Sequence, residues 1–82
     1  MSGMEKLLNF LVKLEAHKIH YGLEHNRGEA IMVLIAVPGE RWEVEFFDDG
    51  HVEVEVFEST ATRGTFRSLE GEEALSRLFE KE

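Results

Sequence analysis

The chain has 82 residues, of which 43% are hydrophobic and 32% are charged, and its formal net charge is −8. This composition predicts a single small α+β domain spanning residues 1–82, and it excludes a disordered chain because enough apolar surface is available to offset the entropy lost on folding. An acidic surface repels nucleic-acid phosphate and anionic lipid, so neither a nucleic acid nor a membrane is an expected partner.

The chain contains no cysteine. This excludes disulfides, thiolate nucleophiles and cysteine-ligated zinc. No apolar run reaches the ~18–20 residues that a membrane span requires, and the N-terminal residues lack a signal-peptide pattern. We therefore expect a soluble, cytoplasmic protein without a cofactor.

The first predicted element is a helix that begins after Ser2. Ser2 and Glu5 form an S-x-x-E capping box, in which each side chain bonds a backbone N–H that the first turn leaves open. The apolar residues of this helix are Met4, Leu7, Leu8, Phe10, Leu11, Val12 and Leu14. They cover an arc of about 200°, which is wider than the usual stripe, so we expect the helix to bury two sides.

Four strands are predicted after this helix, because apolar residues either alternate with polar ones or run without interruption. The strands are centred on Tyr21, on Ala30–Val37, on Val44 and on Val54. Glycine closes two hairpin loops and one turn, at Gly28, Gly50 and Gly39. These are the positions where we expect a positive φ, which glycine adopts without a steric cost.

The register of the strands follows from centring each hairpin loop. This places Leu23 opposite Ile31, Ile31 opposite Phe46, and Phe46 opposite Val52. All three hairpins then have apolar residues on the same face. The pattern therefore predicts a four-stranded antiparallel meander.

The C-terminal region is predicted to be a loop followed by a helix. Residues 59–67 are mostly small and polar, although Thr65–Arg67 also suits a strand. Ser68 is the expected N-cap of the final helix, whose early glutamates favour the positive end of the helix dipole. The apolar stripe of this helix comprises Ala74, Leu75, Leu78 and Phe79. The expected element order is α-β-β-β-β-α.

One face of this sheet is expected to be open, because two helices each ~10 Å across cover only one face of four strands. Residues 40–58 contain eight carboxylates and one base, so they hold −7 of the net charge. The register places Glu43 opposite Glu55 and Glu45 opposite Glu53, and each directly opposed pair costs a few tenths to about 1 kcal/mol. The predicted binding surface comprises Glu43, Glu45, Glu53, Glu55, His20, Met32, Leu34, Phe47 and Phe57.

We expect this surface to belong to a non-enzymatic domain that binds a basic protein surface or a second copy of the chain. Exposed glutamates also keep a small domain soluble and deter edge-to-edge aggregation, which is an alternative interpretation. Neither a catalytic motif nor a metal-binding motif is recognisable.

Two other functions stay open. One is a homodimer formed through Leu7, Leu11, Leu14 and their neighbours, with a carboxylate-rich metal or small-ligand site between the subunits. The other is a small acid–base enzyme that uses His20 or His51 with a glutamate.

Overall fold

The structure, a computed structural model, describes residues 2–60 and 64–80. Its elements are α1 (Gly3–Ala16), β1 (Tyr21–Arg27), β2 (Ala30–Val37), β3 (Glu40–Phe47), β4 (Val52–Thr60), β5 (Gly64–Glu70), a 3₁₀ turn (Glu72–Ala74) and α2 (Leu75–Glu80). The strands form one antiparallel meander in the order β1-β2-β3-β4-β5. The predicted α+β class is therefore confirmed, with a helix before the meander and a helix after it.

Helix α1 begins at the predicted capping box. The Ser2 Oγ accepts a hydrogen bond from the backbone N–H of Glu5 at 3.1 Å, and the Glu5 carboxylate faces back to the Ser2 N–H. One flank of the helix is buried through Gly3, Leu7, Phe10 and Leu14. On the other flank, the side chains of Met4, Leu8 and Val12 are more than half exposed. The wide apolar arc is thus buried on one side only, contrary to the prediction.

The predicted register is confirmed for two of the three hairpins. Ile31 lies opposite Phe46, and Phe46 lies opposite Val52. The first hairpin differs, since Leu23 pairs with Val33 and not with Ile31. Its connection is the two-residue turn 28–29. The pairing is irregular between Glu24 and Arg27, so the net shift along Tyr21–Glu24 is two residues and these side chains keep their predicted faces.

The three glycines of the turns differ in conformation. Gly39 has a φ of 78° and Gly50 has a φ of 96°, as expected for a turn and a loop that need left-handed backbone. Gly28 does not adopt a positive φ, so that prediction is wrong. In the shorter turn of the first hairpin, residue 28 does not need left-handed backbone.

The loop predicted over residues 59–67 is replaced by strand at 59–60 and at 64–67, and the alternative that Thr65–Arg67 forms a strand is confirmed. Strand β4 continues to Thr60 and pairs with β5 along the whole length of β5, from Gly64 to Glu70. Ser68 lies inside β5, and the N-cap position of the 3₁₀ turn that leads into α2 is Gly71. The edge of β4 offers backbone hydrogen-bond partners to residues 64–70, whose own sequence has little structural preference. Pairing with this edge therefore outweighs the local sequence preference. The remainder of the predicted loop, 61–63, lies outside the described residues.

Both helices lie against the same face of the sheet. The Phe10 ring centroid is 5.3 Å from that of Phe46 and 5.9 Å from that of Phe79, so α1 contacts both the sheet and α2. Trp42 is fully buried, and its Nε1 donates to the Glu40 Oε1 at 2.9 Å. Neither helix in the described part of the chain is long and apolar enough to cross a membrane.

Candidate functional site

Four glutamates lie together on the sheet face opposite the helices. Glu43 and Glu45 are on β3, and they pair across the sheet with Glu55 and Glu53 on β4. Alternate residues of a strand point to the same face, so all four side chains share one surface. We call these residues the acidic quartet, and the sheet face that carries them the acidic face.

A pocket of about 320 Å³ lies over the acidic quartet. Its other lining residues are Arg27, Met32, Val54 and Leu69. Leu69 of β5 is 73% exposed, and Met32 of β2 is half-buried. This volume is at the lower end of the ~300–1,000 Å³ range of ligand sites. The pocket therefore has the size for a side chain or a small ligand, and it combines carboxylates with apolar contacts.

Glu45 is the buried charged residue of the described chain, at 5% exposure. Its Oε2 accepts no hydrogen bond. The Nε of Arg27 lies 3.6 Å from this oxygen, which is an ionic contact beyond hydrogen-bond length. An unsatisfied buried acceptor costs about 1–3 kcal/mol, and more when it is charged. The stability of the fold therefore does not account for the burial of Glu45.

The chain itself relieves part of the repulsion within the quartet. The Arg41 Nη2 lies 3.5 Å from the Glu43 Oε2, and the His51 Nε2 lies 3.5 Å from the Glu53 Oε2. These contacts are at partly exposed side chains, where water and salt weaken them. Among the described contacts, two arginines, Arg27 and Arg41, lie against the four carboxylates of the quartet.

The two phenylalanines of the predicted surface are partly covered by cations. The Arg41 guanidinium lies 4.3 Å from the Phe57 ring centroid. The Phe47 ring stacks on the His51 ring at 4.0 Å and 12°, and the Arg27 guanidinium lies 5.5 Å from the same Phe47 ring. Phe47 is buried as a result, so it offers little surface to a partner.

The remaining predicted residues differ in whether they line the pocket. Met32 lines the pocket. Leu34 is two residues further along β2, on the same face, and lies opposite Glu43. His20 is exposed just before β1 and does not line the pocket. The structure thus brings together the quartet and Met32, with Leu34 alongside.

Three residues that line the pocket are absent from the predicted surface, namely Arg27, Val54 and Leu69. The sequence pattern Asn26-Arg27-Gly28 predicts a three-residue hairpin loop, but β1 extends to Arg27. Leu69 had been assigned to the start of the final helix, but it lies in β5 opposite Glu55. The strand-forming residues Thr65 and Phe66 were the available signal for β5.

The described residues include no group of three or more histidine, aspartate or glutamate side chains that could hold a metal ion. Adjacent strands present the quartet side by side, and arginines already contact two of its members. The arrangement therefore suits a cationic group that brings its own hydrogen-bond donors better than it suits a bare metal ion.

His51 forms a close pair with Asp49 at the end of the acidic face. The Asp49 Oδ1 lies 2.6 Å from the His51 Nδ1 and accepts the backbone N–H of His51 at 2.9 Å. The hydrogen bond to Asp49 raises the pKa of His51 above its ordinary value, and the two hydrogen bonds from His51 lower the pKa of Asp49. The His51 ring and the Asp49 carboxylate thus both favour their charged forms. A histidine held this way is a weaker candidate for a general base.

This pair gives a prediction for stability against pH. The raised pKa of His51 means that its contribution is complete below 6.5 and is lost as the pH rises through the folded-state value. The lowered pKa of Asp49 means that its contribution is present above 3.8 and is lost at lower pH. We expect His51→Gln to lose stability relative to the wild type chiefly between these values.

Urea unfolding at about pH 5.5 and about pH 8.5 measures this difference, which should be larger at the lower pH. His20→Gln, at an exposed histidine outside the pair, serves as the control. A difference between wild type and His51→Gln that is the same at both pH values would contradict the assigned role of the pair.

A second pocket, of about 300 Å³, lies where α1 begins. Its lining is mainly apolar and includes Met4, Leu7, Ile31 and Phe46. Among the described residues, the buried polar atom without a hydrogen bond is in the first pocket, at Glu45. The acidic face is therefore the better candidate for a functional site.

Comparisons with known proteins assign no relative to the chain. No family model matches it, no curated protein matches it, and no solved structure matches it. The function is therefore inferred from the geometry and charge of the acidic face.

Proposed function

We propose that this chain is a non-enzymatic protein-binding domain whose acidic face docks a basic protein surface. Glu45 is the observation that carries the proposal. Its carboxylate is buried on that face, and one oxygen accepts no hydrogen bond. A basic side chain of a partner would supply the missing donor, and charge-assisted hydrogen bonds are roughly twice as strong as neutral ones.

The charge distribution supports the same partner chemistry. The four glutamates of the quartet lie in the segment 40–58, which holds −7 of the net charge of −8. Complementary charge speeds association and sets specificity, while apolar contacts contribute affinity. Met32, Leu34 and Leu69 supply apolar surface beside the quartet. The proposal includes a cytoplasmic location, which suits a chain without cysteine.

Calorimetric titration with a short peptide rich in lysine and arginine tests the proposal. We expect binding by the wild type, and binding at least about tenfold weaker by the double variant Glu43→Gln/Glu55→Gln. Raising the salt from about 0.05 M to about 0.5 M should weaken wild-type binding because exposed charges are screened.

The matched control is Glu73→Gln/Glu80→Gln, which removes the same charge from exposed residues of the helical layer. It should bind the peptide with nearly wild-type affinity. Equal losses in the two double variants would show that net charge, and not the acidic face, governs binding. Affinity that is independent of salt would likewise contradict the proposal.

A second candidate function is self-association through α1, because this helix has an exposed apolar stripe. The predicted interface residues Leu7 and Leu14 are buried in the subunit's own core, which corrects that part of the prediction. The exposed stripe is formed instead by Met4, Leu8 and Val12. Since α1 carries two glutamates and two lysines, two copies of it meet without the repulsion expected at the acidic face.

An antiparallel pair of α1 helices crossing at Leu8 would place Met4 of one copy near Val12 of the other. Three side chains cover less than the ~800 Å² per partner of a standard interface, so we expect weak association. Sedimentation equilibrium should show a dimer at high concentration, and Leu8→Glu should abolish it. Leu69→Glu on the opposite side of the sheet is the control. A wild type that stays monomeric, or a dimer that persists in Leu8→Glu, would exclude this interface.

A further inference from the structure

We infer that the pocket of the acidic face takes an arginine side chain of the partner, and that Arg27 holds this position in the free protein. The inference rests on the proposed function and adds the chemical class of the docking group. It follows from the way in which Arg27 contacts Glu45.

Arg27 reaches two features with which a guanidinium is commonly bound, a carboxylate and an aromatic ring. Its Nε lies 3.6 Å from the Glu45 Oε2, and its guanidinium carbon lies 5.5 Å from the Phe47 ring centroid. Both contacts are loose. The first is longer than a hydrogen bond, and the Arg27 side chain is 53% exposed. Arg27 therefore marks a place for a guanidinium without satisfying Glu45.

The position of Arg27 in the chain accounts for this incomplete contact. Arg27 is the last residue of β1 and is paired with Ala30 across the turn. The β1–β2 pairing is irregular between Glu24 and Arg27. The backbone of Arg27 is thus held at the end of the hairpin, and its side chain approaches Glu45 through Nε, the guanidinium nitrogen nearest its own backbone. An arginine that enters from outside has no such tether.

The arrangement of the quartet favours arginine over lysine. Glu43 lies opposite Glu55 and Glu45 lies opposite Glu53. Side chains directly opposed in an antiparallel pair are separated by about 4.5–5.5 Å at the backbone. A planar guanidinium with five donors can bridge two neighbouring carboxylates, whereas an ammonium group acts as a point charge.

The walls of the pocket suit the apolar stem of such a side chain. Met32 and Leu69 line the pocket beside the carboxylates. An arginine stem can lie along apolar surface while its guanidinium contacts the charged groups. The pocket thus matches both ends of one arginine side chain.

The test titrates wild type and Arg27→Gln with two blocked tripeptides, Gly-Arg-Gly and Gly-Lys-Gly, and follows backbone amide NMR signals of Glu45 and Leu69. We expect the wild type to bind the arginine peptide at least roughly threefold more tightly than the lysine peptide. Arg27→Gln should bind the arginine peptide roughly three- to tenfold more tightly than the wild type, because the internal competitor is gone.

Arg77→Gln is the matched control. It removes the same charge from an exposed helical arginine that lies over Trp42, on the helix-covered side of the sheet. We expect the affinity of this variant for the arginine peptide to change less than about twofold, since Arg77 does not line the pocket and its charge is on the other side of the sheet. Thermal melts of both variants confirm that they are folded.

The outcomes separate the inference from the proposed function. Equal affinity for the two tripeptides, or an Arg27→Gln variant no tighter than Arg77→Gln, would overturn the inference. If the basic peptide still bound the acidic face in the calorimetric test, the proposed function would stand. If neither the tripeptides nor the basic peptide bound, both would fall.

Discussion

Replacing Glu45 with methionine is expected to raise the free energy of unfolding by about 1 kcal/mol and to abolish binding of the basic peptide. A buried carboxylate with an oxygen that accepts no hydrogen bond is costly. Exchanging a buried ion for an apolar side chain of similar length is often neutral or stabilising. The freed Arg27 stays solvated, because its side chain is 53% exposed. Stability and binding should therefore change in opposite directions, which is the pattern of a residue retained for function.

Glu53→Met is the matched control for this result. Glu53 lies directly opposite Glu45, but its side chain is 58% exposed. A methionine at this position buries little additional apolar surface, so the free energy of unfolding should change by less than about 0.5 kcal/mol. Urea unfolding measures both variants. A loss of 1 kcal/mol or more in Glu45→Met, about the mean effect of a substitution, would show that this carboxylate stabilises the fold.

Gly3→Ala is expected to lower the free energy of unfolding by about 1–3 kcal/mol, although alanine is the better helix former. A Cβ atom at Gly3 would overlap the carbonyl oxygen of Phe47. That carbonyl cannot easily move, since it accepts the backbone N–H of Gly50 at 3.0 Å in the β3–β4 loop. The start of α1 would have to move away from the sheet, and this would disturb the contacts made by Phe10.

Gly22→Ala is the control for Gly3→Ala. A Cβ atom at Gly22 meets nothing within 4 Å. The same change of residue type should therefore leave stability unchanged or raise it slightly, by up to about 0.5–1 kcal/mol. Equal effects at the two glycines in urea unfolding would contradict the close approach of α1 to the β3–β4 loop.

The faces of the sheet could be predicted from the sequence because side chains alternate along a strand. The shared surface of Glu43 and Glu55 followed from this rule and from the register of two hairpins. Those hairpins have turns whose glycines, Gly39 and Gly50, adopt positive φ as expected. The predicted register of the first hairpin differs from the structure by two residues along Tyr21–Glu24, and this even shift leaves those side chains on their predicted faces.

The features that the sequence could not predict depend on contacts between distant segments. Strand β5 forms because the edge of β4 is available, and local composition gives only a weak signal for it. The burial of Glu45 and the approach of Arg27 depend on how β1, β2 and β3 pack side by side. Such packing cannot be inferred from the alternation of residues along one strand. The sequence therefore predicts the quartet, but it does not predict that Glu45 has an unsatisfied oxygen.

Mapping backbone amide NMR shifts during titration with the basic peptide tests the docking role of the acidic face most directly. We predict the largest shifts at Glu43–Glu45, at Glu53–Glu55 and at Leu69, with little change in α1 and α2. Shifts concentrated in α1 or in the pocket beside Gly3, with the quartet unaffected, would contradict the proposal that this face binds a basic partner.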